Sequence, residues 1–313
     1  MNVVAPLAGV RGDLLTGLEW SPAQLNDFFR LAADVKAHPD RYRNALSGRV
    51  LTLIFEKPSL RTRVTFEAGI ANLGGTSIFL DHTMARLGER EPIRDIAKNL
   101  ERWVHGIVAR VFEQTALDEL AFNANIPVIN ALSDKFHPCQ AFSDFFTLEE
   151  RFGGLRGLKL AYVGDGNNMC HSLVSAGARC GVHVCVATPE GYEPDDEVIA
   201  DAKSIARETG GKVEILRSPE EAVAGAQAIY TDVWASMGQE QEAQEREAAF
   251  AAYQVNARLL SQAAPDAVFL HCLPAHRGLE VTAEVIDSPR SIIYDQAENR
   301  LHVQKAILHM LLN

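Results

Sequence analysis

Five short stretches and two isolated arginines hold the side chains best suited to chemistry in this chain. Ser59-Leu60-Arg61-Thr62-Arg63 follows an apolar run and opens an amphipathic segment, so the free backbone N–H groups of a helix start are joined by two arginines and two hydroxyls. That combination is an anion cradle. His137-Pro138-Cys139-Gln140 likewise follows a strand and begins a helix, offering an imidazole and an amide from the same sheet edge. Arg110, near the end of GIVARVF, is a guanidinium in a buried setting that needs an anionic partner. Tyr230-Thr231-Asp232-Val233-Trp234-Ala235-Ser236-Met237-Gly238 places an acid and then a hydroxyl past a strand end, with a glycine that lets the loop swing. His271-Cys272-Leu273-Pro274 ends a strand on a thiol, and Arg300 in AENRLH sits just before or inside the closing helix. Gly164-Asp165-Gly166-Asn167-Asn168 resembles a dinucleotide turn. It lacks the last glycine, and the next strand, HVCVATP, carries no well-placed acid, so it is weak support for NAD.

Each group taken singly has a plain structural alternative: an N-cap, a core cysteine, a surface ion pair. Together they supply donors for a phosphate and for an amino acid, and they need a scaffold that brings distant stretches to one edge. Short β-rich runs at Val50–Glu56, Ser77–Asp81, Gly106–Phe112 and Pro127–Ala131 are followed by Leu158–Gly164, His183–Pro189, Lys212–Leu216, Ala228–Trp234 and Ala267–Pro274. Amphipathic stretches separate them, the rhythm of strands alternating with crossover helices. Near-continuous apolar runs such as LKLAYVG and HVCVA indicate burial on both faces, as in a parallel sheet covered by helices.

The expected fold class is α/β, with two domains, each a mainly parallel sheet flanked by helices. The boundary falls near residue 150, where the helical spacing of Ala141, Phe142, Phe145, Phe146 and Leu148 gives way to Gly153, Gly154 and Gly157. The acidic stretch QEQEAQEREAAF, residues 239–250, reads as a solvated face.

Composition removes several classes of function. Forty-one acidic against 30 basic residues give a formal charge of −11, which repels nucleic acid. No apolar run approaches the roughly 18 residues needed to span a bilayer. MNVVAPLAGVRGDLL has no cationic segment ahead of an apolar core, so a cytoplasmic location without membrane partners is expected. The five cysteines are an odd number without a CxxC pair, which argues against a disulfide framework or a zinc cluster.

SLRTR, HPCQ, GDGNN, DVWASMG and HCLP, in this order and spacing, resemble the aspartate/ornithine transcarbamylase family. The similarity runs from about residue 10 to the C-terminus, and the pairing of DxxxSMG with HCLP points to the ornithine branch. The resemblance implies a carbamoyl phosphate-binding domain over 1–150, with the C-terminal helix 297–313 packing back onto it, an ornithine-binding domain over 151–296, and the active site in the cleft between them. It assigns Ser59, Leu60, Arg61, Thr62, Arg86, Arg110, His137, Gln140, Cys272, Leu273 and Arg300 to carbamoyl phosphate. It assigns Asn168, Asp232, Ser236 and Met237 to ornithine, with Asp232 facing the α-ammonium. Arg61, Arg110, His137 and Cys272 are the expected catalytic groups, with neither metal nor organic cofactor, in a homotrimer or a multiple of it.

Two positions depart from the family pattern. Leu60 stands where many members have Thr, so the backbone N–H must serve there. Arg86 aligns with a common Gln and is expected to complete a neighbouring subunit's site, the plain alternative being a surface loop charge. The implied reaction makes citrulline and phosphate by attack of an amine on the carbamoyl carbon, in arginine metabolism. Related amines (N-acetylornithine, putrescine or aspartate) are the alternative second substrates.

Overall fold

The computed structural model describes residues 12–235 and 242–313. It divides into two units, one running to Phe146 and taking in Glu298–Asn313, the other comprising Thr147–Ala297.

The first unit is built on strands β1 (Val50–Phe55), β2 (Thr76–Asp81), β3 (Gly106–Arg110) and β4 (Val128–Leu132), all parallel in the order β2-β1-β3-β4. Leu14 bridges to Ile129 and extends the β4 edge. Burial of β1 and β3 on both faces produces their unbroken apolar runs. The helix Pro22–Ala37 starts on a capping box between Ser21 and Gln24, and its Phe28 joins Trp20 and Phe142 at ring separations of 5.0–5.6 Å. Helix Pro138–Phe152 buries the aromatic stripe predicted for it. The last helix, Ile293–Leu312, sends its C-terminal part into this unit, where Leu308 and Lys305 meet Gly69 and Leu312 meets Gly106.

The second unit holds β5 (Lys159–Val163), β6 (His183–Ala187), β7 (Lys212–Leu216), β8 (Ala228–Thr231) and β9 (Val268–His271), all parallel in the order β7-β6-β5-β8-β9. Helices Asn168–Arg179, Asp196–Thr209 and Ala243–Phe250 accompany them, and one core runs from Val163 and Ile229 through Trp234, Phe250 and Phe269. Among the described residues no helix is long and apolar enough to cross a membrane.

Each sheet reverses its direction of growth once, at β1/β3 in the first and at β5/β8 in the second. Loops leaving the strand C-termini at such a switch point splay apart and open a crevice, the usual place for a ligand in open α/β sheets. Both arginine-bearing and acid-bearing stretches emerge there.

Candidate active site

In the first unit the chain leaves β1 through Glu56-Lys57-Pro58 and enters helix Leu60–Asn72. Ser59 is the N-cap, its hydroxyl accepting from Thr62 N at 3.3 Å, so the helix opens within the hydroxyl- and arginine-bearing run itself. Leu60 is 76% exposed and has no side-chain donor, so any hydrogen bond given from this position comes from its backbone. Thr62 is buried, and its Oγ1 accepts from Arg300 Nη2 at 2.9 Å. The same guanidinium donates from Nη1 to Gln140 Oε1 at 2.6 Å, while Gln140 Nε2 donates to Asp144 at 2.8 Å. One fork thus ties the cradle, the HPCQ helix and the C-terminal helix together.

Arg110 is the last residue of β3, at an irregularity in its pairing with β4 that turns the side chain out of register, and it is buried. His137 immediately precedes helix Pro138–Phe152 and is also buried. Burial, followed by the charges of Arg300, Arg110 and Arg61, holds its imidazole well below the usual histidine range. Three cations from three separate elements therefore act on one neutral ring.

Lys57, absent from the candidates drawn from the sequence, feels the charge of Arg110 and belongs to the same neighbourhood. It is 8% exposed, and burial and Arg110 lower its pKa. Its Nζ lies 4.3 Å from the Phe112 ring centroid, and Arg86 stacks on that ring at the same distance. Arg86 is also paired with Glu113 at 3.3 Å, with both side chains about half or more exposed. Its loop is fixed by Glu56, whose two carboxylate oxygens accept from Leu87 N and Phe112 N, each at 2.7 Å.

In the second unit GDGNN follows β5. Gly166 is required by packing, since a Cβ there would overlap the backbone of Pro194 and Tyr192, which accounts for a glycine without any dinucleotide. Asn167 caps helix Asn168–Arg179 by accepting from Met169 N and Cys170 N at 2.9 and 3.2 Å, while its Nδ2 donates to Asp232 Oδ2 at 3.1 Å. Asn168, the position singled out from the motif, is the first helical residue, and the cap itself was missed. Asp232 Oδ1 accepts from Cys272 Sγ at 3.1 Å and from Val233 N at 2.8 Å. Leu273 takes φ +58, a left-handed conformation uncommon for a leucine, held by its N–H donating to His271 Nδ1 at 2.8 Å. His271 Nε2 in turn lies 3.3 Å from buried Glu280. Ser236 and Met237 lie outside the described residues, as does Gly238.

One expectation needs correcting. Within 239–250, Arg246 is not part of a solvated face. It is 7% exposed and donates to Asp165 Oδ2 at 2.9 Å, to the carbonyl of Trp234 at 3.0 Å and to Glu242 at 3.0 Å. Phe250, four residues on, is fully buried, so the helix has an inward face that its acidic composition concealed.

Two family models cover the chain. The carbamoyl-P binding domain of aspartate/ornithine carbamoyltransferases matches residues 12–150, and their Asp/Orn binding domain matches residues 156–311. An ornithine carbamoyltransferase of Listeria monocytogenes serotype 4b (strain F2365) is 50% identical over 301 residues, covering 96% of this chain and 95% of its own. That of Thermococcus kodakarensis is 54% identical over 267 residues, 85% of each chain. The solved structure of the Pyrococcus furiosus ornithine carbamoyltransferase superposes with a TM-score of 0.94 at 49% identity, covering 99% of both chains.

Proposed function

The chain belongs to the aspartate/ornithine carbamoyltransferase family and is a carbamoyltransferase, and we infer from this premise that it transfers the carbamoyl group of carbamoyl phosphate to the δ-amine of L-ornithine, giving citrulline and inorganic phosphate. The observation that carries this reading is the convergence of Arg61, Arg110 and Arg300 on His137. A phosphoryl dianion attached to an acyl group calls for that arrangement of fixed cations and donors.

Residues 1–150 with the C-terminal helix bind carbamoyl phosphate in this reading, and residues 151–296 bind ornithine. The Ser59 cap, the backbone N–H groups through Thr62, and Arg61 and Arg110 take the phosphate. His137, Gln140 and Arg300 take the carbamoyl end, with Cys272 and Leu273 beside it. Held neutral, His137 polarises the carbonyl by hydrogen bonding without adding another formal charge, and the arginines stabilise the oxyanion and the departing phosphate as their charge grows. Asn168, Asp232, Ser236 and Met237 hold the amino acid, Asp232 opposite its α-ammonium.

The δ-amine resembles lysine, with a pKa near 10.4, so at about pH 8 its neutral form costs roughly 3.3 kcal/mol. Exclusion of water lowers that cost by disfavouring the ammonium, and the Asp232–Cys272 pair is suited to receive the proton. The acyl phosphate is already activated, so no covalent enzyme intermediate is required. The product, citrulline, carries no charge at the carbamoylated δ-nitrogen and is released into arginine metabolism.

The assembly proposed is a cytoplasmic homotrimer or a multiple of it. The outer strand β2 and the helix Leu60–Asn72 packed against it support association, because β2 is an open sheet edge with Ile78 exposed and the helix exposes Leu60 and Val64. A citrulline assay with carbamoyl phosphate and, in parallel, ornithine, N-acetylornithine, putrescine and aspartate tests the reaction. Ornithine is expected to be used at least about a hundredfold better than the others. Equal use of an amine lacking the free α-ammonium would reject the role given to Asp232.

A further inference from the structure

Among the described residues a second cluster of donor side chains lies away from these loops, near the opposite ends of the strands. His183 and Cys185 are two apart on β6 and so share one face of the sheet, and parallel pairing sets Cys185 beside Glu214 and His183 beside Lys212. Three donor atoms meet there: His183 Nε2 is 2.5 Å from Glu214 Oε2, and Cys185 Sγ is 3.1 Å from Nε2 and 3.8 Å from Oε2. All three ligand atoms fall within 4.8 Å of one another. Lys212 Nζ, at 2.7 Å, holds the other carboxylate oxygen and fixes the orientation of the group.

We propose that His183, Cys185 and Glu214 form a binding site for a thiophilic divalent cation of the zinc type, bridging edge strand β7 to its neighbour β6. One neutral imidazole, one thiolate and one carboxylate balance a charge of +2. Metal–ligand lengths of about 2.0–2.3 Å in a tetrahedron require ligand separations of roughly 3.3–3.7 Å, within about 1 Å of those present. Sulfur and imidazole donors select zinc or cadmium over magnesium and calcium. His183 and Glu214 are half-buried, so a fourth, solvent-facing position is open to water.

Binding is linked to a proton. Zinc binds the thiolate, so the metal displaces the Cys185 thiol proton to buffer as the metal–sulfur bond forms, and the imidazole binds through Nε2 with its proton on Nδ1. Occupancy therefore tightens as pH rises. The other donor trio, Asp232, His271 and Cys272, belongs to the active site and supplies the control.

The test is equilibrium dialysis of the full chain against Zn2+, with cobalt substitution to read the thiolate charge-transfer band, in wild type, Cys185→Ser, Glu214→Gln and Cys272→Ser. The proposal expects one zinc equivalent and its thiolate band to vanish in Cys185→Ser and to persist in Cys272→Ser. Zinc should raise the melting temperature of wild type and of Cys272→Ser but not of Cys185→Ser, whose unliganded melting temperature shows whether it folds. Unchanged stoichiometry and an unchanged thiolate band in Cys185→Ser would overturn it, as would loss of all zinc in Cys272→Ser.

Discussion

Arg300 makes two hydrogen bonds in divergent directions, to Thr62 and to Gln140, from one planar fork. A lysine keeps the charge but delivers a single ammonium and cannot span both acceptors. Arg300→Lys is therefore expected to raise the KM for carbamoyl phosphate by about tenfold or more, at roughly 1.5 kcal/mol or above for a lost charge-assisted bond, and to leave the KM for ornithine near wild type. Steady-state kinetics with each substrate varied in turn separates the two. His137 carries a second consequence. Its folded pKa is depressed, so below about 6.5 the unfolded chain binds a proton that the folded ring refuses. The sign follows: this contribution to stability is complete above that pH and is lost as pH falls below it. Urea unfolding across pH 5–7 should show a shallower decline in His137→Gln than in wild type, and parallel slopes would mean the ring is not held neutral.

The helix Ala243–Phe250 is joined to the turn after β5 through Arg246 and Asp165, and burial lifts that carboxyl to about 6 even with the guanidinium beside it. Arg246→Met leaves an uncompensated buried carboxylate and should cost about 3–5 kcal/mol, while adding Asp165→Asn should recover much of the loss. A double-mutant cycle in urea measures the coupling, and additivity would show that the pair is not the joint between these elements. At this scale much was legible in advance. All nine expected strands are present: inner strands such as β1 and β3, buried on both faces, advertise themselves as apolar runs, while the partly exposed edge strands β2 and β7 are marked by β-rich composition alone. Most expected ends ran past the true ones on the C-terminal side, as with Gly106–Phe112 against Gly106–Arg110, because chain leaving a sheet to carry buried site residues remains apolar. Arg246 was hidden by its acidic neighbours, and Asn167 by an adjacent identical residue. The His183–Cys185–Glu214 cluster has no linear signature at all, since parallel register, not spacing along the chain, brings residues 29 and 31 positions apart together.

For the molecule as a whole, the sharpest question is whether each chain completes its own site. Arg86 pairs with Glu113 at 3.3 Å, both side chains about half or more exposed, and such a pair contributes only about 0–1 kcal/mol. Its release to another acceptor is therefore inexpensive, whereas the loop that carries it is anchored on buried Glu56 and stays in place. A closed trimer would bring that loop to a neighbour by symmetry, each subunit giving one Arg86 and receiving one. Arg86→Ala and His137→Ala should each be impaired alone. Unfolded together and allowed to reassemble, they should produce hybrids in which an intact His137 chain meets an intact Arg86 from its neighbour. Random mixing places that combination at about one site in four, so recovered activity should approach a quarter of wild type. Chains that each use their own Arg86 give no intact site in any mixture, and activity no greater than the mean of the two parents would show the site to be unshared.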